Sequence, residues 1–268
     1  MRIRHWLTVG VACCLAACQT VQTTNPGAVG VNRKQHMLVS EEQVEEGSKV
    51  AYDQELEKAR KAGELNTNQQ TYKRIQAISQ RLIPQTAVFR PDAAQWKWEV
   101  NVQTTDDVNA YCMPGGKIMV YTGLIDKLQA SDAELAAVIG HEIAHALREH
   151  SRERLSRAYA EQIALAGIAV ATGAGASTMQ LASQISAVTF QLPHSREQEA
   201  EADRIGLELM ARAGYDPNAA VSLWQKMGKV GGGGPPEFLS THPSGESRIR
   251  DLQAAIPRVE PLYQQAVH

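Results

Sequence analysis

His141-Glu142-Ile143-Ala144-His145 reads H-E-x-x-H inside a run with helical spacing. On an α-helix, two histidines four residues apart lie about 40° apart around the axis, so both rings reach toward one ion. Glu142 stands beside them, where a carboxylate takes a proton from water that a metal has acidified. Ser131-Asp132-Ala133-Glu134 opens the run as an S-x-x-E capping box, and Leu135, Val138, Ile139, Glu142 and His145 continue it at helical spacing. His150 follows His145 by five residues, turned too far round a continuous helix to share an ion, and reads as a surface or capping histidine. Chance alone produces H-E-x-x-H in about one chain of this length in a hundred. The pattern therefore decides the fold only if the rest of the chain builds a site around it.

Zinc in hydrolytic sites takes three protein ligands and keeps one position for water, so two histidines need a third donor. Residues 195–206 read S-R-E-Q-E-A-E-A-D-R-I-G. On a helix Glu199 and Asp203 share a face, whereas Glu201 points about 160° away from Asp203. The spacing assigns Glu199 to the metal and Asp203 to the free ring N–H of a liganding histidine. Glu201 is left solvated or paired with arginine.

The remainder of the 268-residue chain supports one domain, α+β with helices dominant. It is 43% hydrophobic, 21% charged and 5% aromatic, with a formal net charge of −2. That near-neutral balance lacks the basic footprint of a nucleic-acid binder. Arg2 and Arg4 precede an apolar run from Trp6 to Ala17, too short to span a bilayer but of h-region length, and Leu15-Ala16-Ala17-Cys18 looks like a bacterial lipobox. Residues 1–17 are then a lipoprotein signal peptide and Cys18 the lipidation site. Gln19 in place of aspartate points to the outer membrane, facing the periplasm. Cys13 and Cys14 leave with the signal, so Cys112 remains alone and reads as a buried small hydrophobe.

Residues 18–39 mix Thr, Asn, Gly and Pro and read as a tether, 40–257 as the folded domain and 258–268 as a C-terminal tail. Helical patterns follow Ser40 up to Ala62 and span Asn66 to Ile83. Trp96 to Val102 alternates as a half-buried strand. With the strands on either side of Pro114-Gly115-Gly116 it predicts a small antiparallel meander beside the H-E-x-x-H helix. Gln162 to Ser195 holds no Asp, Glu, Lys or Arg, yet Gly, Thr, Ser and Gln interrupt it, which favours buried or lid-forming helices over a membrane hairpin. Gly231–Gly234 reads as a hinge, and Ser244 as the cap of a last helix carrying Arg248, Ile249 and Leu252.

Four motifs occur in order: N-A-Y-C-x-P-G-G-x-I at Asn109, H-E-x-x-H at His141, E-x-x-A-D at Glu199 and T-H-P-x-x-x-S-R-I at Thr241. Together they resemble the HtpX and CAAX-prenyl-protease type of zinc endopeptidases over about residues 40–255, above all the soluble outer-membrane lipoprotein branch. The resemblance implies a gluzincin-type metallopeptidase domain with one Zn2+ per chain on His141, His145 and Glu199, and Glu142 as general base. It implies that the strand at Gly115, Gly116, Lys117, Ile118 and Met119 binds substrate. It also implies that His242 either stabilises the oxyanion or blocks the open zinc position. Cys112 and Met113 depart from the small or aliphatic residues usual in the family, without touching a catalytic role. The expected partners are unfolded envelope polypeptides, the membrane through the lipid, and the outer-membrane assembly machinery. Two other readings compete: an envelope assembly factor with proteolysis normally switched off, and a structural lipoprotein with an accidental motif.

Overall fold

The computed structural model describes residues 19–166, 177–230, 237–242 and 246–268. The expected signal peptide, Cys18, the glycine run 231–234, Pro243-Ser244 and residues 167–176 of the uncharged stretch lie outside the described residues. In chain order the elements are β1 (Gln19–Val21), β2 (Gln35–Met37), α1 (Glu41–Lys61), α2 (Gln69–Leu82), 3-10 turns over Ile83–Val88 and Pro91–Gln95, β3 (Glu99–Gln103), β4 (Ala110–Met113), β5 (Lys117–Tyr121), α3 (Thr122–Leu128), α4 (Asp132–Leu147), α5 (His150–Ala166), α6 (Thr178–Phe190), α7 (Arg196–Arg212), α8 (Asn218–Met227), α9 (Glu237–Thr241) and α10 (Glu246–Val267).

Helix α4 carries the H-E-x-x-H pentapeptide and runs through the centre of the molecule. Ser131 and Glu134 form the expected capping box, and every residue from Glu134 to Leu147 is buried. A helix buried on all sides needs neighbours on all sides. It has α7, α8, α2 and the sheet. Its closest approach is to α7, where Gly140 meets Gly206. A Cβ on Gly206 would stand 2.7 Å from the backbone nitrogen of His141, so only glycine lets the two backbones come this near. That crossing brings the acidic face of α7 beside the two histidines.

The sheet differs from the expected antiparallel meander. β5 is the central strand, parallel to β3 and antiparallel to β4. Alternation identifies strands and faces but not neighbours. Residues 104–109 are tied to the start of α3 by the bonds Gly123 N to Thr105 O and Thr105 N to Thr122 Oγ1, rather than closing a hairpin between β3 and β4. The β4–β5 hairpin forms as expected, with Gly115 and Gly116 at φ +78° and +79°. One face of the sheet, with Val102, Ala110, Cys112, Ile118 and Val120, joins the main core around α4. The other, with Tyr111, Met113 and Met119, packs on Ala51 and Tyr52 of α1 and Ala182 of α6. The expected substrate strand at Lys117–Met119 is therefore buried and hydrogen-bonded along both edges. β3 and β4 are the edge strands of this sheet.

Residues 19–39 are not a free tether. β1 and β2 pair antiparallel, Val29 and Val31 enter the main core, and Asn25 N bonds Phe89 O. Their polar, turn-rich composition concealed partners distant in sequence. The expected tail is also folded, since α10 continues through Pro257 and Pro261 with Val259 buried in the core. In the uncharged stretch, α6 buries Leu181, Ala182, Ile185 and Val188. Among the described residues no helix is long and apolar enough to cross a membrane.

Candidate metal centre

Four donors from three segments converge. His141 and His145 come from α4, Glu199 from α7 and His242 from the turn ending α9. His141 Nε2 lies 3.0 Å from His145 Nε2, 3.5 Å from Glu199 Oε2 and 3.3 Å from His242 Nδ1. Glu199 Oε1 lies 3.3 Å from His145 Nε2 and 3.0 Å from His242 Nδ1. Donors bound tetrahedrally at about 2.0–2.1 Å from one ion are separated by about 3.3 Å, so the set fits a small cation with N and O ligands, as zinc prefers.

Burial and the neighbouring charges act differently on the two histidines. Burial pushes His145 well below its ordinary value, leaving the neutral form that coordinates metal. At His141 burial and Arg248 favour the neutral ring, yet Glu199 and Asp203 outweigh them and raise it to about 9. Glu142 lies beside the cluster, its Oε1 buried with no hydrogen-bond partner among the described residues and His242 Nε2 3.5 Å away. Burial raises its carboxyl above the usual carboxylate range. A carboxylate oxygen without a hydrogen bond at this point suits a water molecule that must give up a proton.

Asp203 stands where the spacing put it, with Oδ1 3.0 Å from His141 Nδ1. Arg248 was singled out only as part of the last helix. It grips Asp203 with Nε and Nη2 at 2.6 and 2.7 Å, reaches Glu199 Oε2 with Nη1 at 2.7 Å, and lies over the Trp224 ring. The S-R-I end of the fourth motif was its only signal in the sequence.

Two histidines were misread or missed. His150 is neither on the surface nor remote: it is fully buried, with Nδ1 2.8 Å from His145 Nδ1 and Nε2 3.1 Å from Glu201 Oε2. The five-residue phase argument assumed an unbroken helix. Glu149 adopts left-handed φ +51°, ends α4 and swings His150 back against His145. His194, in the turn before α7, packs its ring 3.9 Å from that of His145, and its backbone nitrogen bonds Thr241 O. Glu201 is buried, and it pairs with Arg33 and Arg148 as well as His150. Cys112 is a free, buried thiol whose pKa burial raises. It lines a small cavity with Asn109, Tyr111, Glu142, His194 and His242. Gly115 to Met119 do not line that cavity, and Cys18 lies outside the described residues.

The sequence profile of Peptidase family M48 matches residues 69–256 of the 268. A mitochondrial metalloendopeptidase OMA1 of Arabidopsis thaliana is 43% identical over 161 residues, covering 59% of this chain and 31% of the relative. The mitochondrial metalloendopeptidase OMA1 of Schizosaccharomyces pombe is 38% identical over 172 residues, 61% of this chain and 48% of the relative. The beta-barrel assembly-enhancing protease of Escherichia coli is 30% identical over 174 residues, 60% of this chain and 35% of the relative. The chain thus spans from about a third to about half of the length of these relatives.

Proposed function

This chain belongs to peptidase family M48, and on that premise we propose that it is a zinc-dependent endopeptidase of the bacterial cell envelope, acting on misfolded or unassembled envelope proteins. The observation carrying this reading is the buried His141, His145, Glu199 and His242 donor set, with Glu142 Oε1 buried beside it and without a hydrogen bond among the described residues. Zinc held there supplies acidification of water and polarisation of the scissile carbonyl. Glu142 Oε1 accepts the proton of the attacking water and delivers it to the leaving amine nitrogen. Asp203 orients His141, and Arg248 fixes Asp203 and Glu199. The outer edge of β4, which among the described residues pairs with no further strand and lies beside Glu142 along the cavity, is the edge against which an extended peptide would be laid, in place of the doubly paired β5.

His242 Nδ1 stands among the ligand atoms, at the place that water needs. This favours a gate over an oxyanion donor. It also favours, as a second reading, an assembly factor whose proteolysis is normally off. Casein cleavage by His242→Ala separates the roles: a rise supports the gate, a fall supports oxyanion stabilisation, and no change defeats both. Glu142→Gln should retain one zinc per chain and lose proteolysis; full activity would refute the mechanism. The lipobox-like L-A-A-C supports a lipid anchor on Cys18 in the outer membrane, near the assembly machinery of that membrane. Fatty-acid labelling that is lost in Cys18→Ala is the expected result, and label persisting in that variant would exclude the anchor.

A further inference from the structure

We propose that His150 is a positioning residue for the site: it fixes the orientation and tautomer of His145 through a Glu201–His150–His145 relay. The inference rests on reading His145 as a metal ligand. The two histidines of the H-E-x-x-H pair are supported differently. His141 turns its outer nitrogen to a carboxylate directly, Nδ1 to Asp203 Oδ1 at 3.0 Å. Among the described residues, no carboxylate meets the outer nitrogen of His145. Its Nδ1 meets His150 Nδ1 at 2.8 Å, and the far nitrogen of His150 meets Glu201 Oε2 at 3.1 Å.

Only one proton arrangement satisfies this chain. A neutral imidazole has one N–H and one bare nitrogen. His145 Nε2 points into the donor cluster, so it is the bare nitrogen and Nδ1 carries the proton. His150 Nδ1 must then accept, which places the His150 proton on Nε2, where it donates to Glu201. The reverse arrangement fails at both ends: it puts a proton on His145 Nε2 among the ligands and sets a bare His150 Nε2 against a carboxylate. Glu201 is held in place by Arg33, with Nε 2.7 Å from Oε1, and by Arg148 Nε, 3.1 Å from Oε2.

The relay ends in the N-terminal segment. Arg148, fully buried at the end of α4, donates to Thr23 Oγ1 and the Arg33 carbonyl, and Gln35 Nε2 donates to the Arg148 carbonyl. Residues just after the expected lipidation site therefore clamp the support of a metal ligand that they never touch.

The test is zinc affinity by competition with a chelator on the full chain. Asn at position 150 keeps an acceptor near the Nδ1 position, whereas Phe fills the space without one. Partners of liganding histidines are worth about 10–100-fold in metal affinity. His150→Phe should lose affinity in that range, and His150→Asn should recover most of it, with kcat of the zinc-saturated enzyme falling more than KM changes. A folded His150→Phe with wild-type affinity overturns the proposal, as does equal loss in both variants, which is the mark of packing alone. Ring 15N spectra of the zinc-loaded wild type require no variant to fold: protons at His145 Nδ1 and His150 Nε2 are expected, and a proton at His150 Nδ1 overturns the relay. A wild type that takes up no zinc refutes the metallopeptidase reading itself, and the relay with it.

Discussion

Substituting Gly206 by alanine tests how the fold sets the metal centre without altering any donor. The added Cβ would stand 2.7 Å from His141 N and 2.9 Å from both Gly140 C and His141 Cα. All three are backbone atoms of α4, so no rotamer change relieves the contact. The shortfall from ordinary van der Waals contact is about 0.7 Å, and α4 and α7 must separate by a comparable amount. Overpacking of this kind costs about 1–3 kcal/mol, while replacing glycine inside a helix returns about 1 kcal/mol. The net loss of stability is therefore at most about 2 kcal/mol, and the protein should still fold. The site is less tolerant, because ligand distances must hold within about 0.2 Å. Glu199 on α7 would move relative to His141 and His145 on α4. The expected result is a modest fall in Tm with at least a tenfold loss of zinc affinity, measured by chelator competition, and a matching loss of casein hydrolysis. Gly140→Ala, whose Cβ would meet Gly206 O at 3.0 Å, should do less harm. Wild-type zinc affinity in Gly206→Ala, or greater damage from Gly140→Ala, would refute the reasoning.

Three further outcomes follow from other parts of the structure. Glu153 has a folded pKa of about 2 against an ordinary 4.5, because hydrogen bonds from Arg33, Gln198 and Gln35 outweigh the burial that opposes its charge. Its contribution, on the order of 3 kcal/mol, is present above about pH 4.5 and lost as pH falls toward 2, so denaturant titrations should show wild type and Glu153→Gln converging over that window. A gap independent of pH would rule this out. Arg248→Lys keeps a charge but loses the two-pronged grip on Asp203, and should lower zinc affinity by about tenfold or more; unchanged affinity would show that Arg248 does not hold the site. Gly116→Ala places a Cβ 2.6 Å from the Trp98 ring at φ +79°, and should cost at least about 1–3 kcal/mol in denaturant unfolding, where an unchanged midpoint would contradict the turn geometry.

What the sequence disclosed was whatever depends on phase along one unbroken helix. His141 and His145 share a face of α4 with Glu142 beside them, Glu199 and Asp203 share a face of α7, and the capping box at Ser131 falls where the S-x-x-E pattern puts it. The features that stayed hidden depend on long-range partners or on a break in the backbone. The order β3-β5-β4 is set by how residues 104–109 tie to α3, which alternation does not encode. His150 was misplaced because one left-handed residue, Glu149, reset the helical phase. Residues 19–39 looked like a tether because the partners that order them, Phe89, Arg148, Glu153 and Glu201, lie 60 or more positions away.

The short acidic run on α7 shows how these two kinds of information combine. Glu199, Glu201 and Asp203 are spaced by two residues, so successive carboxylates turn about 200° around the axis and alternate between faces. In the proposed site one face would serve the metal through Glu199 and steady His141 through Asp203. The opposite face carries Glu201 away from the donor cluster itself. Once Glu149 ends α4, α5 begins with His150 between His145 and Glu201, and the second face also reaches a histidine of the pair. Each of the three carboxylates therefore bears on the metal centre in the proposed site. A substitution at Glu201 should consequently be read as a change to His145, and not as the loss of a surface ion pair.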